Sequence, residues 1–207
     1  MILDIIVFKW VSEERYGGFI MTKKLRLLLY CTKTKPYLFE SITTKGKYML
    51  DNDKWFNELN GKIVAECDFE VEKIEFEYVF HSGYSDVSYK TKTLNDNEIF
   101  RQSCLRPIDM NTYFRRNFIM EEKGTCGYAI HIKNLHIFDE PKELSEYGMD
   151  FPISPIVKAP QNMMYANGIG ERYILISIRP QWLCKILNGE KTIEVRKKVL
   201  KEMLGLI

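Results

Sequence analysis

The hydrophobic pattern divides the chain into segments of different period. Residues 25–32, LRLLLYCT, form an almost unbroken apolar run, and Tyr30 and Thr32 inside it favour a strand buried on both faces over a short helix. In 61–78, GKIVAECDFEVEKIEFEY, the residues Ile63, Ala65, Cys67, Phe69 and Val71 alternate with Val64, Glu66, Asp68, Glu70 and Glu72. That is the period of a strand with one wet face. Two polar residues then stand together at Glu72 and Lys73, and Ile74, Phe76 and Tyr78 continue on the opposite parity. Because a slip of one residue exchanges the faces of a strand, a bulge or sharp bend is expected there.

Residues 80–100 are polar without helical spacing and read as a long loop. Pro107 and Asp109 predict a short helix over 107–117. The stretch CGYAIHIKNLHIFDEPKELSEY predicts a strand, a turn at Asn134, a second strand, and a helix begun by Asp139 and Pro141. Pro152, Pro155 and Pro160 confine 151–165 to extended or turning chain. The last segment, YILISIRPQWLCKILNGEKTIEVRKK, reads as a strand over 173–179, a helix and a second strand over 191–197. Pro180 stands in the helix's first turn, and Asn188 and Gly189 close it. Trp182, Leu183, Ile186 and Leu187 give that helix its apolar face.

Composition narrows the class. Of 207 residues, 30 are Lys or Arg and 28 are Asp or Glu, a net charge of +2, so the chain is no general polyanion binder and a nucleic-acid partner must be met by a local patch. Such a patch exists between 172 and 201, where Arg172, Arg179, Lys185, Lys191, Arg196, Lys197, Lys198 and Lys201 face only Glu190 and Glu194. The five cysteines, at 31, 67, 104, 126 and 184, have neither disulfide nor zinc spacing and read as reduced thiols of a cytoplasmic protein. The opening run MILDIIVFKWV is too short to span a membrane and lacks a basic leader, so residues 1–21, up to a second start at Met21, read as an extension. His131 and His136, five apart in extended chain, are expected on opposite faces and not as a metal pair. Glu66, Asp68, Glu70 and Glu72 read as a solvated acidic ladder, and neither metal nor cofactor is expected.

The chemistry concentrates in Gly189 to Arg196, GEKTIEVR. It resembles the GxKxxExR signature of the ASCH domain, the activating signal cointegrator homology family of the PUA-like superfamily. SIRPQWLCKILN, LLLYCTKTKPYL, NGKIVAEC, GYAIHIKNLHIFDEPKELSEY and KAPQNMMY resemble further segments of phage-type and Firmicutes-type members, and together these cover most of 22–200. The resemblance implies an α+β fold, a PUA-like mixed β-barrel with short flanking helices. Its order is permuted: the motif block stands last here and first in the family. Residues 22–166 are then the body of the barrel, and 171–207 a strand, helix and strand that complete it as in a circular permutant. A truncated tandem or a rearranged reading frame would give the same order.

Alternation along 191–197 puts Ile193 and Val195 on one side of the strand and Thr192, Glu194 and Arg196 on the other. An acid and a base on one face can read a nucleobase edge, and Lys191 at the turn can reach a phosphate. An ordinary surface ion pair is the competing explanation. Arg179 and Ser177 extend the patch, and Tyr30, Thr32 and Lys33 are candidates for the same cleft, although packing explains the Tyr and Thr equally. The resemblance implies a module that binds RNA or a modified nucleotide, as a monomer or a strand-exchanged dimer without a membrane partner. A second implication is an amidohydrolase or nuclease using Lys191 and Glu194. Members that hydrolyse acylated cytidine nucleosides carry Thr where Glu194 stands, which weakens that transfer. A third reading is a non-catalytic fragment that completes a neighbouring chain.

Overall fold

A computed structural model describes residues 25–33, 58–82, 84–114, 123–148, 154–168 and 171–205; the proposed extension at 1–21 lies outside them. The fold is α+β. Seven strands form one mixed sheet: β1 (Arg26–Cys31), β2 (Ile63–His81), β3 (Tyr84–Lys90), β4 (Lys123–Lys142), β5 (Met163–Gly168), β6 (Glu171–Ile178) and β7 (Ile193–Arg196), in the order β5-β6-β1-β2-β4-β7 with β3 beside β2. Among the described residues the short helices α1 (Asp96–Ser103), α2 (Pro107–Phe114) and α3 (Pro180–Leu187) flank it. Among the described residues β5 and β7 are the ends of the sheet, and backbone pairing does not close it into a barrel. β1 and β6 pair in parallel, as buried on both faces as the apolar run of β1 predicts, and the other pairs are antiparallel. The strands of the carboxyl-terminal block thus lie in the same sheet as β1.

The phase slip in β2 has a different cause from the one expected. Pairing with β4 runs without a break from Asp68 opposite Lys133 to Ile74 opposite Gly127, so no bulge interrupts Glu72 and Lys73. Instead the strand serves two cores on opposite faces. Ala65, Cys67, Phe69 and Val71 pack in the main core with Leu27, Leu29, Ile174, Ile176 and α3, whereas Ile74 and Phe76 pack with Tyr89, Ile99, Phe114 and Val195. The irregularity nearby lies in β4, where Cys126 is the extra residue between the partners of Ile74 and Glu75. Burial pushes the thiols of Cys31, Cys67 and Cys126 up to about 12, consistent with cysteines packed as small hydrophobes.

Three further expectations are corrected. Residues 80–100 are no loop: they hold β3 and the start of α1, whose Asn95 and Glu98 form a capping box, each side chain accepting from the other's backbone N–H. Asn134 makes no turn between two strands but adopts φ 49° inside the continuous β4, and Asp139 and Pro141 also lie in β4, followed by a 3-10 turn at Leu144–Glu146. The extra β4 residue near Asn134 falls between the partners of Glu66 and Asp68 and restores the parity of the two histidines. His131 and His136 therefore share the acidic face, 3.5 Å from Glu72 and 3.4 Å from Glu66. The helix after Pro107 ends at Phe114, and 115–117 lie outside the described residues.

Two outcomes follow from this packing. A Cβ at Gly127 would stand 2.5 Å from Phe114 Cε1 and 2.7 Å from the carbonyl of Arg196, so Gly127→Ala should cost about 1–3 kcal/mol in urea unfolding, and Phe114→Leu in that background should recover part of it. Burial raises the carboxyl of Glu72, but hydrogen bonds from the Thr91 and Thr93 hydroxyls and the Thr93 amide, with His131 beside it, bring it below the usual carboxylate value. A depressed folded-state pKa contributes stability that is present above the unfolded value of about 4.3 and lost as pH falls through the folded one. Stability curves of wild type and Glu72→Gln should accordingly converge on acidification below about pH 4.

Candidate functional site

β7 is four residues long, and its alternation decides what each side chain meets. Ile193 and Val195 enter the second core, while Glu194 stands opposite Ile130 of β4, on the side of the main core. Arg196 lies on the same side as Glu194, its Nε 2.9 Å from Glu194 Oε1. The alternation along 191–197 predicts this shared face but not how deeply the pair is set: the side chains of Glu194 and Arg196 are 10% and 14% exposed.

Lys191 departs from its expected place. It is not an ammonium presented at a turn but is 3% exposed, with Nζ donating to the Ser103 carbonyl at 2.7 Å and lying 3.3 Å from Glu194 Oε2. The ring of Trp182 on α3 stands 5.4 Å from the same nitrogen. Burial holds this ammonium below the usual lysine value, against the opposing pull of Glu194. One carboxylate thus sits between two cations, its Oε2 toward Lys191 and its Oε1 toward Arg196.

Arg196 also reaches across the sheet's open side. Its Nη1 donates to Asn162 Oδ1 at 2.9 Å and its Nη2 to the Ser177 carbonyl at 2.6 Å. Ser177 therefore joins the cluster through its backbone alone. Its hydroxyl donates to the Pro160 carbonyl at 2.6 Å. Asn162 is a site residue that the sequence did not single out, because nothing local distinguishes it from other residues of a proline-rich connection.

Tyr30 is buried with Leu28, Ile63 and Tyr147 in a third cluster, on the face of β1 opposite Leu29 and Cys31, and so across the sheet from Glu194. Thr32 follows the end of β1, its N–H donating to the Ile178 carbonyl. Lys33 lies against Gly61, whose hydrogen leaves room for the lysine stem. Arg179 is exposed at the residue before α3. Of the remaining basic patch, Lys185 pairs with Glu190 at 3.1 Å and Lys197 stands over Tyr113 at 4.9 Å.

No family model, curated protein or solved structure matches this chain.

A carboxylate between two nearly buried cations cannot be removed cheaply, because breaking a buried pair leaves charge without compensation. Glu194→Leu should cost about 3–5 kcal/mol in chemical denaturation. Combining it with Lys191→Met, which removes one of the stranded cations, should cost less than the sum of the two single changes by about 0.5–3 kcal/mol. Additive costs would show that Glu194 and Lys191 act independently.

Proposed function

We propose that the chain is a binding module of the ASCH, PUA-like kind that takes RNA or a modified nucleotide at the Glu194–Arg196 edge. The observation that carries this reading is the pairing of a carboxylate and a guanidinium on one strand face, 2.9 Å apart, with about a tenth of each side chain still exposed. An acceptor fixed beside a donor suits the edge of a base, whose own acceptors and donors alternate. Trp182, half-buried on α3 beside the cluster, offers an aromatic surface of the kind on which bases stack. In this reading phosphates are met by exposed cations such as Arg179 and Lys198, and Lys191 serves the interior.

One observation favours a hydrolase acting on modified nucleosides. A buried amine held below its ordinary value next to a carboxylate is an arrangement that active sites use. The hydroxyl of Thr192, however, donates to Gln102 Oε1 at 3.2 Å, and the Cys104 thiol near Lys191 donates to the Glu190 carbonyl at 3.4 Å.

Binding of short single-stranded RNA and of a panel of acylated and unmodified nucleosides separates the readings. Glu194→Gln keeps the side chain's shape and should weaken binding by about 1–3 kcal/mol. Arg179→Ala should flatten the log–log salt dependence of RNA affinity by about 0.7. Turnover by wild type that is lost in Glu194→Gln at unchanged affinity would overturn the binding reading in favour of the hydrolase.

A further inference from the structure

The carboxyl end of α1 is where the candidate site meets the rest of the fold. A helix leaves its last carbonyls without partners of its own, and those groups carry the negative end of the helix dipole. Here the motif supplies the partners. The Thr192 N–H donates to the Gln102 carbonyl at 2.9 Å, and Lys191 Nζ donates to the Ser103 carbonyl at 2.7 Å. Cys104, left-handed at φ 56°, ends the helix, and its thiol donates to the Glu190 carbonyl at 3.4 Å. Three consecutive motif residues thus hold the end of α1. Among these three, Lys191 is the one whose side chain also lies on Glu194, 3.3 Å from Oε2.

An ammonium with so little exposure has no water to replace a lost partner, and leaving one of its donors unmade is expensive. If α1 lifts away, the ammonium loses the Ser103 carbonyl and must turn to Glu194 or move outward, and either change redirects the carboxylate that Arg196 holds from its other side.

We infer that Lys191 is a positioning residue that makes the seating of α1 and the orientation of the Glu194 carboxylate a single event. This rests on the reading of Glu194 and Arg196 as the recognition pair and adds a means of regulating it. Whatever loosens α1 weakens binding at Glu194, and by reciprocity a bound base tightens α1. If the lysine only filled space under the helix, loosening α1 would leave Glu194 as it was.

The test perturbs α1 from its far end. Asn95→Ala removes the capping box, in which Asn95 Oδ1 accepts from the Glu98 amide and Glu98 Oε2 from the Asn95 amide, both at 3.0 Å. This lies eight residues, about 12 Å of helix axis, from Ser103. Hydrogen exchange of the α1 amides and the 13C resonance of the Glu194 carboxylate are followed in the full chain for wild type, Asn95→Ala, Lys191→Met and Lys191→Arg. Asn95→Ala should speed α1 exchange at least tenfold and shift or broaden the Glu194 resonance. Lys191→Met should speed α1 exchange to a similar degree, and Lys191→Arg should restore part of the protection. A Glu194 resonance unchanged in Asn95→Ala while α1 exchange rises would overturn the inference, as would wild-type protection of α1 in Lys191→Met. If Lys191→Met does not fold, the Asn95→Ala comparison decides alone. Cytidine and a short single-stranded RNA serve as ligand probes, and weaker binding of either by Asn95→Ala supports the coupling. Wild-type protein that binds neither would overturn the functional reading, while the two ligand-free signals still decide the coupling.

Discussion

The arrangement of the site depends on the connection from β6 to β7. In a flat sheet these strands, separated by β1, β2 and β4, would stand four spacings or about 19 Å apart. Arg196 of β7 nevertheless donates to the Ser177 carbonyl of β6 at 2.6 Å. The sheet must therefore curl strongly, and α3 explains around what. Its Leu183, Cys184, Ile186 and Leu187 lie in the main core with residues from β1, β2, β4 and β6. The helix occupies the concave side while it carries the chain from one part of the sheet to the other. Backbone pairing stops short of closure, and the Arg196 guanidinium, together with Asn162 Nδ2 donating to the Lys198 carbonyl at 3.4 Å, spans what remains.

That closure by a side chain sets the chemistry of the site. A guanidinium can bridge two carbonyl-type acceptors and a carboxylate at once because its donors lie in one fixed plane. The cost is a charged group taken largely out of water, offset by Glu194, which in turn is balanced by Lys191, whose ammonium also meets the negative end of the α1 dipole. The charges are thus connected in a chain that runs from the capped carbonyl of α1 to the open side of the sheet. Such a chain explains why a functional reading must separate what Arg196 and Lys191 do for the fold from what Glu194 and Arg196 offer to a ligand.

Much of this was legible in local pattern. The two-faced burial of β1, the alternation of β2, the helix opened by Pro180 and closed before Gly189, and the common face of Glu194 and Arg196 all follow from side-chain period and backbone preference, which act within a few residues. The capping box at Asn95 and Glu98 was also present in the sequence and would have placed α1, had it not been obscured by the polarity of its surroundings.

Local pattern therefore carries β1, β2, α3 and β7, and the chemical types at the site. Tertiary structure decided how those groups are used. Pattern records that a side chain faces away from a core, not what another element brings over it. Lys191 lies buried because α1 and Trp182 cover it, the slip in β2 serves two cores without a bulge, and the histidines share a face because Asn134 takes φ 49° within β4. Asn162 enters the site because a curled sheet brings a distant connection under Arg196. Each outcome depends on contacts between residues far apart in the chain, where period carries no information about the partner.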